Sequence, residues 1–421
     1  MRIITSTAAA LLAAGALASP AAHAVQPLDV FLAASHQFSP DNREAAALAV
    51  QRAVAVDQVR GRLLPSLTAR GSYTWNQREI VPNFGGTELV IAPEHQLDAI
   101  FQLDIPVVDV AGWQRVAAAE AAAEAADAMR AGTQVQIDKA VARAYYQLIS
   151  AEAVKSVADA NVKVATELLD VATKRFDQDA APKLEVRRAD ANLARAQGSV
   201  ADADLAVTLA RRRLESLTGV APEPVTEFPA DDLHAEAAIE SFLPAAAKAP
   251  AVRSASARVA AAEKEAKAQE LQFIPTLSAQ AAERITNATG FIDESTYATL
   301  GVALTWRFDF ANYAALDLGD AQVGAATAGV DRARLQAEDE IFEAWHRVAT
   351  AIAKSRAARV EAEAAEDAAK MAALRYHEGA GTQLDLVTAQ RDEFAAQVSR
   401  IQADGDVAFA RTYLRLATRF E

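Results

Sequence analysis

The sequence predicts a mainly α-helical protein with a small transmembrane β part, in which a strand pair followed by a long coiled-coil helical hairpin occurs twice. Three observations carry the prediction. Alanine supplies 104 of 421 residues, and 52% of the chain is hydrophobic while only 6% is aromatic. Small side chains of this kind favour helix and let helix axes approach closely, whereas an ordinary globular core uses Leu, Ile, Val and Phe. Two proline-free runs, Trp113 to Phe176 and Tyr313 to Tyr376, are each 64 residues long. At about 1.5 Å per residue each makes roughly 96 Å of helix. Between the helical stretches lie short segments that alternate polar and apolar residues, the period of a strand.

The elements follow in order. Residues 1–24 read as a signal peptide: Arg2 opens it, Ile3 to Leu17 is apolar, and Ala22-His23-Ala24 is a small-residue cleavage box. Residues 25–217 form the first repeat, with a short helix, strands about 67–76 and 96–106, and helices about 113–177 and 183–217. Residues 218–250 form a linker whose prolines (222, 224, 229, 244 and 250) interrupt helix. Residues 251–421 form the second repeat, with strands about 277–286 and 297–308 and helices about 313–377 and 383–419. No run of 18 apolar residues follows the leader, so no membrane-spanning helix is expected.

The duplication is visible in ordered echoes. Pro40-Asp41-Asn42-Arg43 and Leu64-Pro65-Ser66-Leu67 return as Pro250-Ala251-Val252-Arg253 and Ile274-Pro275-Thr276-Leu277. Val108-Asp109-Val110 returns as Phe308-Asp309-Phe310. Arg175-Phe176 with Leu184-Glu185-Val186 returns as Arg375-Tyr376 with Leu384-Asp385-Leu386. In the returning helix, Val186, Ala189, Leu193, Ala196, Val200, Ala203, Val207, Ala210, Leu214 and Leu217 keep alternating three- and four-residue steps, a heptad seam with alanine at every other position.

The strands have two unlike faces. Leu67, Ala69, Gly71, Tyr73 and Trp75 alternate with Thr68, Arg70, Ser72 and Thr74, and Leu97, Ala99, Phe101, Leu103 and Ile105 alternate with Gln96, Asp98, Gln102 and Asp104. Residues 277–286 alternate less cleanly, with Glu283 on the apolar face. Tyr73, Trp75, Phe101, Trp306 and Phe308 are the candidate membrane-interface aromatics. Ten-residue strands of this pattern suit a soluble half-buried sheet or an outer-membrane barrel. Four strands cannot close a barrel, for which eight is the usual minimum, so a barrel here requires several chains.

Other classes find no support. Cysteine is absent, which excludes a disulfide framework and thiolate chemistry. A net charge of −14 opposes nucleic-acid binding. There is no nucleophile elbow, phosphate loop or dinucleotide fingerprint, and the six histidines are scattered. We therefore expect no enzyme, no cofactor and no metal.

Together, the leader, the duplicated strand pair plus hairpin, the Pro65 and Pro275 entries and the Arg-aromatic turns resemble the TolC family of outer-membrane efflux proteins from Gram-negative bacteria, over roughly residues 29–419. The resemblance implies a homotrimer whose chains share one 12-stranded β-barrel in outer-membrane lipid, continuous with a long periplasmic α-barrel. It implies a periplasmic adaptor (membrane fusion) protein and an inner-membrane pump of RND or ABC type as partners, in drug or metal efflux or in type I protein secretion. It also places a gate at the hairpin tips, with Asp385, Glu185, Tyr376 and Thr388 as gate candidates. Arg175, Phe176, Asp179, Leu184, Arg375, Gly379, Gly381 and Leu384 become candidate adaptor contacts. Asp385 falls where the family has an aspartate ring, although an acid near a helix N-terminus is also favoured by the helix dipole alone. The chain departs from the family at Gly381, where an arginine that bonds the gate tyrosine is expected. It departs again at Thr388, a second acidic position, and at Asp179, where the turn glycine is expected. Rival readings are a periplasmic adaptor, which would need further β domains, and a non-conducting coiled-coil scaffold.

Overall fold

The computed structural model describes residues 26–223, 228 and 231–420. The expected leader, 1–24, and linker residues Pro224 and Pro229 lie outside the described residues. The element order is α1 (Leu28–Phe38), α2 (Pro40–Gly61), β1 (Ser66–Trp75), β2 (Asn83–Phe84), β3 (Thr87–Glu88), β4 (His95–Val108), α3 (Val110–Asp177) and α4 (Lys183–Thr218). After the linker come α5 (Pro250–Leu271), β5 (Thr276–Thr286), β6 (Thr296–Thr305), α6 (Phe310–His377) and α7 (Gln383–Thr418). Both long helices, α3 and α6, have 68 residues, and both returning helices have 36.

The echoed motifs mark element boundaries. Asp109 and Asp309 are N-caps: Asp109 accepts from the Gly112 amide at 2.8 Å, and Asp309 from the Asn312 amide at 2.9 Å. These caps start the long helices three residues before Trp113 and Tyr313. Pro65 and Pro275 each end a helical approach and stand immediately before a strand, where a missing amide costs no ladder bond. The last strand stops at Thr305, paired with Thr276, and not near 308 as expected from its alternation. Beyond that pair the facing residue is Pro275, which has no amide to donate, so Trp306 and Phe308 lie past the strand end. The linker also carries more structure than its prolines suggest, with 3-10 turns at Ile239–Ser241 and Leu243–Lys248.

The described chain forms two compact units. The first comprises the segment up to Ala33, Arg143–Leu233 and Lys354–Ala408. Its core is a lattice of small residues at heptad spacing: Ala158, Ala165 and Ala172 on α3, Ala189, Ala196 and Ala203 on α4, and Ala362 and Ala369 on α6 are all buried, with the buried Tyr376 ring at the next heptad position of α6. A buried alanine every seventh residue lets neighbouring helices pack along their whole length with little side-chain volume between them. Gly405 of α7 shows how close the approach is, since a Cβ built there would lie 2.2 Å from the Ser150 hydroxyl.

The second unit comprises Ala34–Ala142, His234–Ala353 and the segment from Phe409 onwards. It holds one four-stranded antiparallel sheet in the order β1-β4-β5-β6, so the hairpins of the two repeats join through β4 and β5. Leu67, Leu103, Ala281 and Leu300 form one cross-strand row, and Ala69, Phe101, Glu283 and Ala298 form the next. The opposite face is polar, with Arg284 bonded to Asp98 at 2.6 Å and to the Tyr297 hydroxyl at 3.3 Å. Elsewhere in this unit the helices are braced by charge: the buried Lys139 donates to Glu340 at 2.5 Å, which also accepts from Tyr413 at 2.9 Å. Burial, reinforced by Glu340, pushes the Tyr413 phenol up to about 12.

Candidate functional site

The first candidate site is the hairpin-tip region of the helical unit. Both long helices end in the same turn. Ala180 donates to Arg175 and Ala380 to Arg375, each at 2.8 Å, while residues 179 and 379 donate to residues 176 and 376. This pair of bonds is the Schellman stop, which needs a left-handed residue after the helix. Gly379 supplies it with φ 75°, and Asp179 adopts it with φ 53°, a conformation that costs a Cβ-bearing residue something. The missing glycine therefore leaves the turn geometry unchanged.

The two returning helices start differently, and the difference gives Asp385 and Glu185 separate bonding partners. At α7, Asp385 accepts from the Thr382 hydroxyl at 2.8 Å and the Thr382 amide at 3.2 Å, and the Thr382 hydroxyl accepts from the Asp385 amide. That is a capping box closed by an aspartate. The Thr382 bonds, with a smaller contribution from Arg375, hold the Asp385 carboxyl below the usual range. At α4 the capping position is Pro182, which has no side-chain donor or acceptor. Glu185 is thus left to bond elsewhere: its carboxylate accepts from the Tyr376 hydroxyl at 3.0 Å, and its backbone carbonyl accepts from Gln383 Nε2 at 2.7 Å.

Tyr376 is the hub. It is only 3% exposed and packs with Leu168, Ala172, Ala189 and Leu386, one or two residues from each of α3, α4 and α7. Arg175 lies over its ring at 4.9 Å. Burial, then the Glu185 bond, raises the Tyr376 phenol above its ordinary value, so it stays a donor at any physiological pH. Gly381 offers no side chain to the tyrosine, and the arginine that lies over the ring is Arg175 of the first repeat. Gly381 packs tightly against the last turn of α6, where an added Cβ would sit 3.1 Å from the Arg375 Cβ.

The remaining tip candidates divide by exposure. Asp385, Thr388 and Arg375 face outward, as do Leu184 at 56%, Leu384 at 53% and Phe176 at 39%. The structure thus brings Glu185, Tyr376 and Arg175 together and leaves Asp385 and Thr388 on the exposed side of α7. Gln383 was not singled out from sequence. Its only signal was its place in the first turn of α7, and its partner lies 198 residues away.

The second candidate site is the sheet. Its apolar face is uncovered: Leu300 is 86% exposed, Leu67 and Val302 73%, and Leu304 70%. Aromatics flank it. At the loop end, Tyr73 bonds His95 at 2.8 Å and Trp75 donates to Glu94 at 3.3 Å. At the helix end, Phe308 contacts the rings of Phe273, Trp306, Phe310 and Tyr313, and Trp306 donates to the Phe273 carbonyl at 3.1 Å. Phe101 differs from these four: the register puts it midway along β4, opposite Ala69 and Glu283. Among the described residues no helix is long and apolar enough to cross a membrane, and no group of three metal-ligating side chains occurs.

Comparison with known proteins agrees on one family. A family profile described as outer membrane efflux protein matches residues 35–220 and 244–418. The outer membrane efflux protein BepC of Brucella suis is 25% identical over 294 residues, 69% of this chain. The match spans 64% of that relative's length. Among solved structures, the outer-membrane channel OprN shares 22% identity with a TM-score of 0.75, over 94% of this chain and 90% of its own. The outer membrane protein VceC of Vibrio cholerae shares 18% identity with a TM-score of 0.77, over 94% of this chain and 97% of its own. Both neighbours share the helix-rich fold of this chain. The chain belongs to the outer membrane efflux protein family.

Proposed function

We propose that three copies of this chain form an outer-membrane duct that exports solutes passively from a periplasm-spanning efflux assembly. One observation carries the reading: a four-stranded sheet whose apolar face is uncovered and whose two outer strands, β1 and β6, each have an unpaired edge. Long bare edges and a bare apolar face are both hazards in water. Pairing β6 of one copy with β1 of the next removes the edges, and lipid covers the face. Three such sheets make a twelve-stranded barrel. A ten-residue strand is about 33 Å long at about 3.3 Å per residue. Tilted about 45°, it spans about 23 Å, close to the apolar band of outer-membrane barrels. The flanking aromatics then sit at the two interfaces.

The helical repeats, 25–217 and 251–421, form the periplasmic α-barrel in this reading, joined by the 218–250 segment, and residues 1–24 direct export and are removed. The hairpin tips meet an adaptor protein and, through it, an RND or ABC pump. Glu185, Tyr376, Arg175 and Gln383 hold the tips of the two repeats together as a latch. Asp385, repeated three times around the axis, attracts cations at the entrance. BepC is named as an efflux protein, which favours efflux over the second reading, a type I protein secretion duct.

Planar-bilayer recording of the purified protein tests the proposal. A duct gives discrete conductance steps, and Asp385→Ala weakens block by multivalent cations from the periplasmic side. A membrane-inserted protein with no conductance contradicts the duct, and unchanged block removes Asp385 from the gate.

A further inference from the structure

The polar face of the sheet has an uneven charge distribution. Arg70, Ile100, Arg284 and Tyr297 form one cross-strand row, and Ser72, Asp98 and Thr286 form the next row toward the loops. Asp98 is fully engaged. One oxygen accepts from Arg284 at 2.6 and 2.9 Å and the other from Gln96 at 2.7 Å. Asp104, three rows nearer the helices, is bonded by Gln102 at 2.8 Å. Arg70 has no hydrogen-bond or ion-pair partner among the described residues, and its residue is exposed on the edge strand.

A neighbouring copy would not neutralise it. The polar-face residues of β6, the strand that closes against β1, are Tyr297, Thr299, Gly301, Ala303 and Thr305, with no carboxylate among them. Each chain therefore contributes two guanidinium groups and one carboxylate to this band. The loops at the adjoining end are acidic: residues 76–94 and 287–295 carry Glu79, Glu88, Glu94, Asp293 and Glu294 against Arg78 alone.

We propose that Arg70, repeated around the lumen beside the Arg284–Asp98 pair, is a selectivity residue that makes the β part of the duct attract anionic solutes, those carrying carboxylate or phosphate. The proposal rests on the trimeric-duct reading. Field lines in a narrow low-dielectric passage concentrate at such a ring, so a few fixed charges set which ion enters. For an ion passing about 10 Å from each of three arginines at about 0.1 M salt, where the Debye length is about 10 Å, the ring changes each ion's local concentration about twofold. Cations and anions move in opposite directions, so their permeability ratio changes roughly fourfold, and more at about 0.01 M salt.

The test is the reversal potential of the full-length protein in planar bilayers under a KCl gradient, with inorganic phosphate added as a second probe. Arg70→Gln is expected to lower the chloride-to-potassium permeability ratio about fourfold and to weaken block by phosphate. Arg70→Glu lowers it further, and Arg70→Lys, which keeps the charge, leaves it near the parent value. Thr68→Gln, two residues along the same face, serves as the neutral control. A ratio unchanged by Arg70→Gln, in a variant that still conducts, overturns the role of Arg70 and leaves the duct standing. Loss of the ratio in Arg70→Lys as well, or a shift toward anions in Arg70→Gln, also overturns it. No conductance from the parent protein overturns both proposals.

Discussion

Replacing Tyr376 by phenylalanine isolates the bond at the centre of the hairpin-tip latch. The ring stays buried among Leu168, Ala172, Ala189 and Leu386, and its stack under Arg175 at 4.9 Å is kept. Only the 3.0 Å bond to Glu185 is lost. A hydrogen bond to a charged group contributes about 1.5–3 kcal/mol. Glu185 is partly exposed, so water replaces some of the lost bond in the variant. A net loss of about 1–2 kcal/mol per chain remains, a factor of about 5 to 30 in any equilibrium that separates the two tips. Amide hydrogen exchange reads this directly. Residues 183–189 and 372–380 should exchange about 5- to 30-fold faster in Tyr376→Phe, while residues 354–365 keep their protection. Glu185→Gln, which retains an oxygen acceptor, should have a smaller effect, and the double variant should be no worse than Tyr376→Phe alone. Unchanged exchange at the tips, or effects that simply add, would refute the latch.

Three further perturbations follow from particular positions. Asp179→Gly removes a left-handed φ from a Cβ-bearing residue and should stabilise the protein by about 0.5–1 kcal/mol in urea unfolding; a loss would show that the aspartate side chain does more than tolerate the turn. Glu283 lies on the apolar face midway along the strands, so Glu283→Ala should raise stability in lipid vesicles by about 1–2 kcal/mol, less than the midplane penalty for a basic residue. No gain in lipid would place that face away from the bilayer. The Asp385 carboxyl is lowered in the folded state by the Thr382 bonds, so its contribution is present above the ordinary value of about 3.9 and fades as pH falls through the folded value. The first turn of α7 should therefore fray in acid, seen as faster exchange at residues 383–387, and Asp385→Asn should abolish that pH dependence.

The amino-acid pattern alone revealed what is local and periodic. The proline-free runs became α3 and α6, and the seam alanines Ala189, Ala196 and Ala203 are buried at the predicted spacing. The echoed Asp109 and Asp309 were visible as a repeat, and their capping bonds supply its physical cause. Pairings between distant segments were not legible. Glu185 and Tyr376 were each singled out at the tips, but nothing in the sequence says that residues 191 apart share a bond. Arg175 is a candidate adaptor contact from sequence, and its place over the Tyr376 ring was not legible, because that contact depends on how α3 packs beside α6. The end of β6 was misplaced because alternation continues through Trp306 and Phe308 while pairing stops opposite Pro275; periodicity reports side-chain faces, not ladder bonds. The linker's attachment was also invisible. Arg411 donates to the His234 carbonyl at 2.6 Å and pairs with Glu236, and a buried arginine at the end of a helix carries no sequence signal of its partner.

The central claim is that each chain supplies one third of a closed wall. The natural absence of cysteine permits a direct measurement. Ser72→Cys on β1 is combined in turn with a single cysteine at Tyr297, Thr299, Gly301 or Ala303 on β6, and the membrane-embedded protein is oxidised. The account predicts that at least one pair yields a covalent ladder of two and three chains that stops at three. No cross-link at any of the four positions, or a ladder that runs past three, would contradict a ring closed by β6 of one chain on β1 of the next.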